Sequence, residues 1–242
     1  AYVRQLGEQD GKLMASIGIN VNLAPVVDVQ GIPDGQTYMS YRMFGWTPDK
    51  VALNAGAYLD GEQSGMQVVG TLKHFPGLGS VSSDPHAAAA VNNHTLDQLN
   101  QIDWAPYRAL FAMGRVDLIM TSHILVPAVD PSRPTTISQP VTTGILRQKL
   151  GFNGVIITDD IYMQSLSAYY SFAQRVTGAV LAGNDLIASV FTLDATAAAE
   201  RIIHDDVTAG TITKERIDES VRRILLLKLR YGVIKMPVKP AA

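Results

Sequence analysis

Five short runs of apolar and β-branched residues punctuate this chain, at 19–29, 68–72, 117–123, 154–160 and 185–188, and no run directly follows another. Helix-like segments separate them. That alternation predicts parallel βα units, because parallel neighbours need a crossover connection. A closed barrel and an open doubly wound sheet both use the pattern, and both gather chemistry at the carboxyl ends of their strands. Here, chemically capable residues recur at or beside those ends: Asp28, Lys73, His74, His123 and Asp159. No Gly-x-Gly-x-x-Gly turn opens a helix, so the nucleotide-binding signature of the open sheet is missing.

Helix limits follow from local signals. Leu6, Leu13, Met14 and Ile17 have helical spacing and predict a helix over 4–17 that Gly18 closes. Pro25 predicts that pairing of the first strand ends near Ala24. Thr47 can cap, and Pro48 can open, a helix reaching about Ser64. Further helices are expected from Thr95 to about Met113, over 140–150, and over 172–182 before Gly183. Residues 193–231 divide into two helices at Gly210, with Thr213 as cap of the second.

The second strand runs into Lys73-His74-Phe75-Pro76-Gly77-Leu78-Gly79, followed by Ser80-Val81-Ser82-Ser83 and Asp84-Pro85-His86. Pro76-Gly77 is a strong turn signal. Lys73 and His74 therefore sit at the strand's carboxyl end, with Asp84 and His86 on the loop beyond. This stretch resembles glycoside hydrolase family 3. Its Asp-x-His element resembles, more narrowly, the β-N-acetylglucosaminidase branch. Ala24-Pro25-Val26-Val27-Asp28 and Ser40-Tyr41-Arg42-Met43-Phe44-Gly45 are similar to further elements of that family. The resemblance runs from about Gly18 to about Gly232. It implies an α/β fold, a (β/α)8 TIM-type barrel, and one catalytic domain over 1–242. Family members carry two strands ahead of the helix that opens this chain. Since an eight-stranded barrel cannot close on five strands, the resemblance also implies a barrel that lacks its first strands here.

Roles follow from the resemblance, residue by residue. Asp159 would be the nucleophile of a retaining glycosidase, forming a glycosyl-enzyme, with Asp160 structural. His86 would be the acid/base, oriented by Asp84; an imidazole suits the task because its reference pKa is about 6.5. Pro85 between them stiffens the loop. Lys73, His74 and Arg42 would bind the sugar, since such donors match hydroxyls without requiring a charged substrate. Asp28 is either part of the site floor or a buried structural acid. His123 matches a family strand-end histidine and reads equally as a satisfied wall residue. His94 and His204 adjoin helix signals and are expected at the surface. The expected substrate is a small carbohydrate ending in N-acetylglucosamine, such as a muropeptide or chitin fragment, with no cofactor. A phosphorylase and a non-catalytic sugar-binding derivative of the fold stay open.

Composition narrows the partners. The net charge of −2 supplies no strong pull toward nucleic acid or anionic membrane. The absence of cysteine excludes disulfides and thiolate metal sites. No His, Asp and Glu set has metal-ligand spacing. There is no uninterrupted apolar stretch of about 18 residues, hence no spanning helix. The compartment, cytoplasmic or secreted, and the oligomeric state are open.

Overall fold

The structure, a computed structural model, describes residues 1–30, 39–81, 90–188 and 192–236. Four parallel strands lie side by side in chain order: β1 (Val21–Asn22), β2 (Val69–Phe75), β3 (Leu118–Thr121) and β4 (Val155–Thr158). A parallel bridge between Ile157 and Leu186 adds a fifth position beyond β4. Helix α1 (Tyr2–Ser16) precedes β1, and α2 (Pro48–Glu62) connects it to β2. A short α3 (Leu96–Gln98), a π-helical turn (Leu99–Asp103) and α4 (Ala105–Ala112) lead to β3. The π-helical segment Pro140–Lys149 leads to β4. Beyond β4 come α5 (Gln164–Ser167), α6 (Phe172–Ala182), α7 (Leu193–Thr208) and α8 (Lys214–Arg230). Among the described residues the strand order does not reverse. That is the winding of a TIM-type barrel and not of a doubly wound sheet, whose order turns back at a switch point.

The strand sequences follow from burial on both faces. Leu72, Ile119 and Ile156 pack in one core with Leu59 of α2 and Tyr107 and Leu110 of α4. Val69, Leu118 and Val155 form a second cluster with Tyr231 and with Ile224 and Leu227 of α8. A sheet covered on both sides reads as continuous apolar runs, here Leu118-Ile119-Met120 and Val155-Ile156-Ile157.

Two expectations need correction. The first helix is present, but the apolar positions that predicted it do not face the core: Leu13 and Ile17 are 63% and 67% exposed, whereas Gly7 and Gly11 are buried. The helix docks on α2 backbone to backbone. A Cβ on Gly61 would lie 1.9 Å from the Arg4 carbonyl oxygen. Glycine contributes no hydrophobicity, so apolar periodicity is blind to such a contact. Pairing also continues past Pro25. The Lys73 N–H donates to the Pro25 carbonyl at 3.2 Å, and the Val27 N–H donates to the Lys73 carbonyl at 2.7 Å. Proline removes only a donor, and its carbonyl still accepts. The peptide bonds before Pro25, His74 and Pro76 are cis.

Helix starts follow the sequence closely. Thr95 with Gln98, and Ser171 with Gln174, form reciprocal capping boxes. The helix expected over 95–113 is interrupted at Leu99–Asp103, with Pro106 in the first turn of the resumed helix.

Candidate active site

One buried carboxylate organises the end of β2. The Asp28 side chain has no exposure, and its Oδ2 lies 2.8 Å from His74 Nδ1. Its Oδ1 accepts the backbone N–H of His74 at 3.3 Å and of Leu78 at 2.7 Å. The same acid therefore fixes the imidazole and both arms of the Pro76-Gly77 turn. Of the two readings of Asp28, the geometry is that of a buried organising acid in direct contact with a candidate ligand residue. Because a carboxylate accepts, Nδ1 carries the donated proton, and Nε2 is the nitrogen left for a ligand.

A second buried acid supports the turn from below. Gly77 has φ of +137°, and a Cβ there would lie 2.5 Å from Asp103 Oδ1. Asn92 Nδ2 bridges the Gly77 carbonyl at 3.1 Å and Asp103 Oδ1 at 3.0 Å. His94 Nδ1 meets Asp103 Oδ2 at 2.6 Å. That contact pushes the His94 pKa up against the opposing effect of burial. The histidine expected at the surface is thus tied to a buried carboxylate. His204 is exposed, as expected, beside the equally exposed Asp205.

Asp159 follows β4 directly. Its N–H donates to the Thr121 carbonyl at 2.8 Å, which extends the β3–β4 ladder to the rim. One carboxylate oxygen, Oδ1, accepts the Asp160 N–H at 2.8 Å. The other has no hydrogen-bond partner among the described residues. Asp160 turns the opposite way: its Oδ1 accepts the Tyr162 N–H at 3.1 Å and closes the turn that leads to α5. His123 is buried and has both ring nitrogens engaged, Nε2 donating to the Asp160 carbonyl at 2.8 Å and Nδ1 lying 2.7 Å from Thr136 Oγ1. Burial lowers its pKa, with Asp159 pulling the other way. It is a satisfied wall residue that braces the loop bearing the two acids.

Lys73 links these groups. Its ammonium is half-buried and makes no hydrogen bond or ion pair among the described residues. Burial lowers its pKa first, the neighbouring Arg42 cation adds to that, and Asp159 and Asp28 oppose both. Arg42 is exposed, and one of its guanidinium nitrogens rests on Met39 Sδ at 3.3 Å. Asp28, Arg42, Lys73, His74 and Asp159 thus gather at the carboxyl end of the sheet. Asp84 and His86 lie outside the described residues. The sequence reading missed Asn92, His94 and Asp103 as a unit. No local pattern marks them, because their common partner is a turn of another segment.

The strands' parallel winding and the acid, lysine and histidine at their carboxyl ends define a class, a TIM-barrel-like α/β domain built around a carboxylate-bearing rim. The chain belongs to glycoside hydrolase family 3: the family profile described as "Glycosyl hydrolase family 3 N terminal domain" matches residues 1–227. It is 33% identical over 229 residues to a protein named beta-hexosaminidase from Idiomarina loihiensis, covering 92% of this chain and 65% of that protein. It is 34% identical over 232 residues to beta-hexosaminidase LpqI from Mycobacterium tuberculosis, covering 93% of this chain and 58% of the relative. A solved glycoside hydrolase family 3 β-N-acetylglucosaminidase from Paenibacillus superposes with a TM-score of 0.91 at 35% identity, over 99% of this chain and 45% of that one. The chain therefore spans less than two thirds of these relatives.

Proposed function

We propose that this chain carries the catalytic rim of a retaining β-N-acetylhexosaminidase. The observation that carries the reading is Asp159. One of its oxygens is anchored by the Asp160 N–H, and the other is unengaged among the described residues, within electrostatic reach of the Lys73 cation. A nucleophilic carboxylate needs that division, with one oxygen fixing its direction and the second attacking the anomeric carbon. Lys73, His74 Nε2 and Arg42 then bind sugar hydroxyls, and Asp28 holds the imidazole in the tautomer that leaves Nε2 free.

In this reading His86 protonates the departing oxygen, oriented by Asp84, and then takes a proton from the water that releases the sugar. Terminal N-acetylglucosamine is the substrate group, in keeping with the names of the relatives. The test is covalent trapping with an activated fluoro-sugar of the N-acetylglucosamine series, followed by peptide mass mapping. The expected adduct sits on Asp159. An adduct on any other carboxylate would overturn the assignment. The same incubation with inorganic phosphate and natural substrate should yield free sugar, and accumulation of sugar 1-phosphate would mark a phosphorylase instead.

A further inference from the structure

The sheet has a second end, and a large cavity opens there. It has a volume of about 550 Å³ and lies between α8 and the turns that precede β3 and β4. Asp117 and Gly154, just before those strands, line it, together with Arg222, Arg223 and Arg230. Asp159 follows the opposite end of β4, so this cavity is separate from the candidate active site. A neighbouring cavity of about 400 Å³ shares Arg223 and Asn153 with it and adds Arg147 and Arg216.

The charges in this region do not balance. Five arginines face three acids: Asp117, Asp185 and Glu219. Asp185 is fully buried and is shared by Arg147 at 2.5 Å, Arg223 at 3.0 Å and, more distantly, Arg216 at 3.8 Å. Glu219 lies 3.6 Å from Arg223. Asp117 is taken by Arg230 and by the Tyr231 hydroxyl. Arg222 has no hydrogen bond or ion pair among the described residues, and it is exposed at the cavity wall. The crowding is felt inside the cluster. The Arg147 pKa falls to about 10, chiefly through burial, with Arg223 and Arg216 adding to the fall and Asp185 opposing it. Guanidinium forks match tetrahedral and planar oxyanions in a bidentate way, so a concave site with surplus arginine selects a multivalent oxyanion.

We infer that the cavity at the amino ends of β3 and β4 is a binding site for a phosphate-bearing small molecule, held by Arg222 with Arg223 and Arg230. This site is independent of the proposed glycosidase reading, since it shares no residue with the catalytic rim. The basic cluster is local, since the chain as a whole is slightly acidic.

Inorganic phosphate and pyrophosphate are the probes, titrated by calorimetry and by thermal shift at constant ionic strength with chloride as the control anion. Saturable binding is expected, tighter for pyrophosphate, with at least a tenfold loss of affinity in Arg222→Glu. Arg222 is exposed and has no ion pair among the described residues, so that variant should keep the wild-type melting temperature in chloride. Arg222→Lys should retain part of the binding, as a point charge does without the fork. Lys73→Ala should bind both probes normally. Binding no better than that of chloride, or equal binding in wild type and Arg222→Glu, would overturn the site. Binding lost in Lys73→Ala but kept in Arg222→Glu would place the anion at the catalytic rim and would equally overturn it.

Discussion

At the residue scale, the aim of His74 depends on one acid 46 positions earlier, Asp28. Asp28→Asn keeps the size and an acceptor for the Leu78 N–H but removes the charge that holds the imidazole. Loss of a charge-assisted buried hydrogen bond should cost about 1.5–3 kcal/mol in urea unfolding. A fall in kcat/KM should accompany it, and unchanged kcat/KM would show that His74 does not need its partner. The acid/base assignment has a sharper test. In His86→Ala, activated aryl glycosides should react almost normally in the first step, since their leaving groups need little protonation. Natural glycosides should lose roughly 10²–10⁴-fold in kcat/KM. Asp159→Ala should abolish turnover of both. Equal losses on both substrates in His86→Ala would assign His86 to sugar binding or loop support.

At the scale of elements, the contact between α2 and the first strands contains a titrating group. Glu62 is 2% exposed. One of its oxygens accepts from Asn22 Nδ2, and the other has no hydrogen-bond partner among the described residues. Burial raises its pKa from 4.5 to about 7. A raised folded-state pKa means that the native state binds the proton more tightly than the unfolded chain. The resulting stability is complete below pH 4.5 and is lost as pH rises through 7. The shift corresponds to about 3 kcal/mol across that window. Glu62→Gln keeps the acceptor without the charge. It should therefore be more stable than wild type at pH 8, and the gap should shrink as pH falls toward 5. Parallel stability profiles for the two proteins would refute the role of Glu62. Gly61→Val tests the neighbouring helix contact: overpacking against the Arg4 carbonyl should cost about 1–3 kcal/mol, read from the thermal midpoint.

At the scale of the whole molecule, Asp185 ties the last helix to the sheet. Besides Arg147 and Arg223, it accepts from Ser220 of α8 at 2.6 Å and from the Ile156 N–H of β4 at 3.0 Å. Asp185→Ala would leave Arg147, Arg216 and Arg223 without their common counter-charge. The expected loss is about 3–5 kcal/mol, the usual cost of removing one partner from a buried ionic cluster. A change below about 1 kcal/mol would mean that the arginines find other partners or water. Substrate choice is also a property of the whole rim. Kinetics on paired aryl glycosides should favour the N-acetyl-β-glucosaminide over the β-glucoside, and the reverse order would exclude the proposed substrate group.

The sequence alone determined the parallel βα architecture, because no strand-like run directly follows another. It placed Lys73, His74 and Asp159 at one end of the sheet, because each follows an apolar run that has nowhere to go but the core. It also determined where three helices begin, through Thr47, Thr95 and Thr213, since a cap is a contact between near neighbours. Only the tertiary structure decided which acid serves which histidine. Asp28 with His74 is a pair made across separate segments, and the Asp103–His94 pair meets the Gly77 turn from another segment. The same holds for the face that α1 buries and for the arginines around Asp185. Periodicity reports which side of its own element a residue occupies. It carries no information about the element that will pack against that side, and those partners set the geometry and charge of the site.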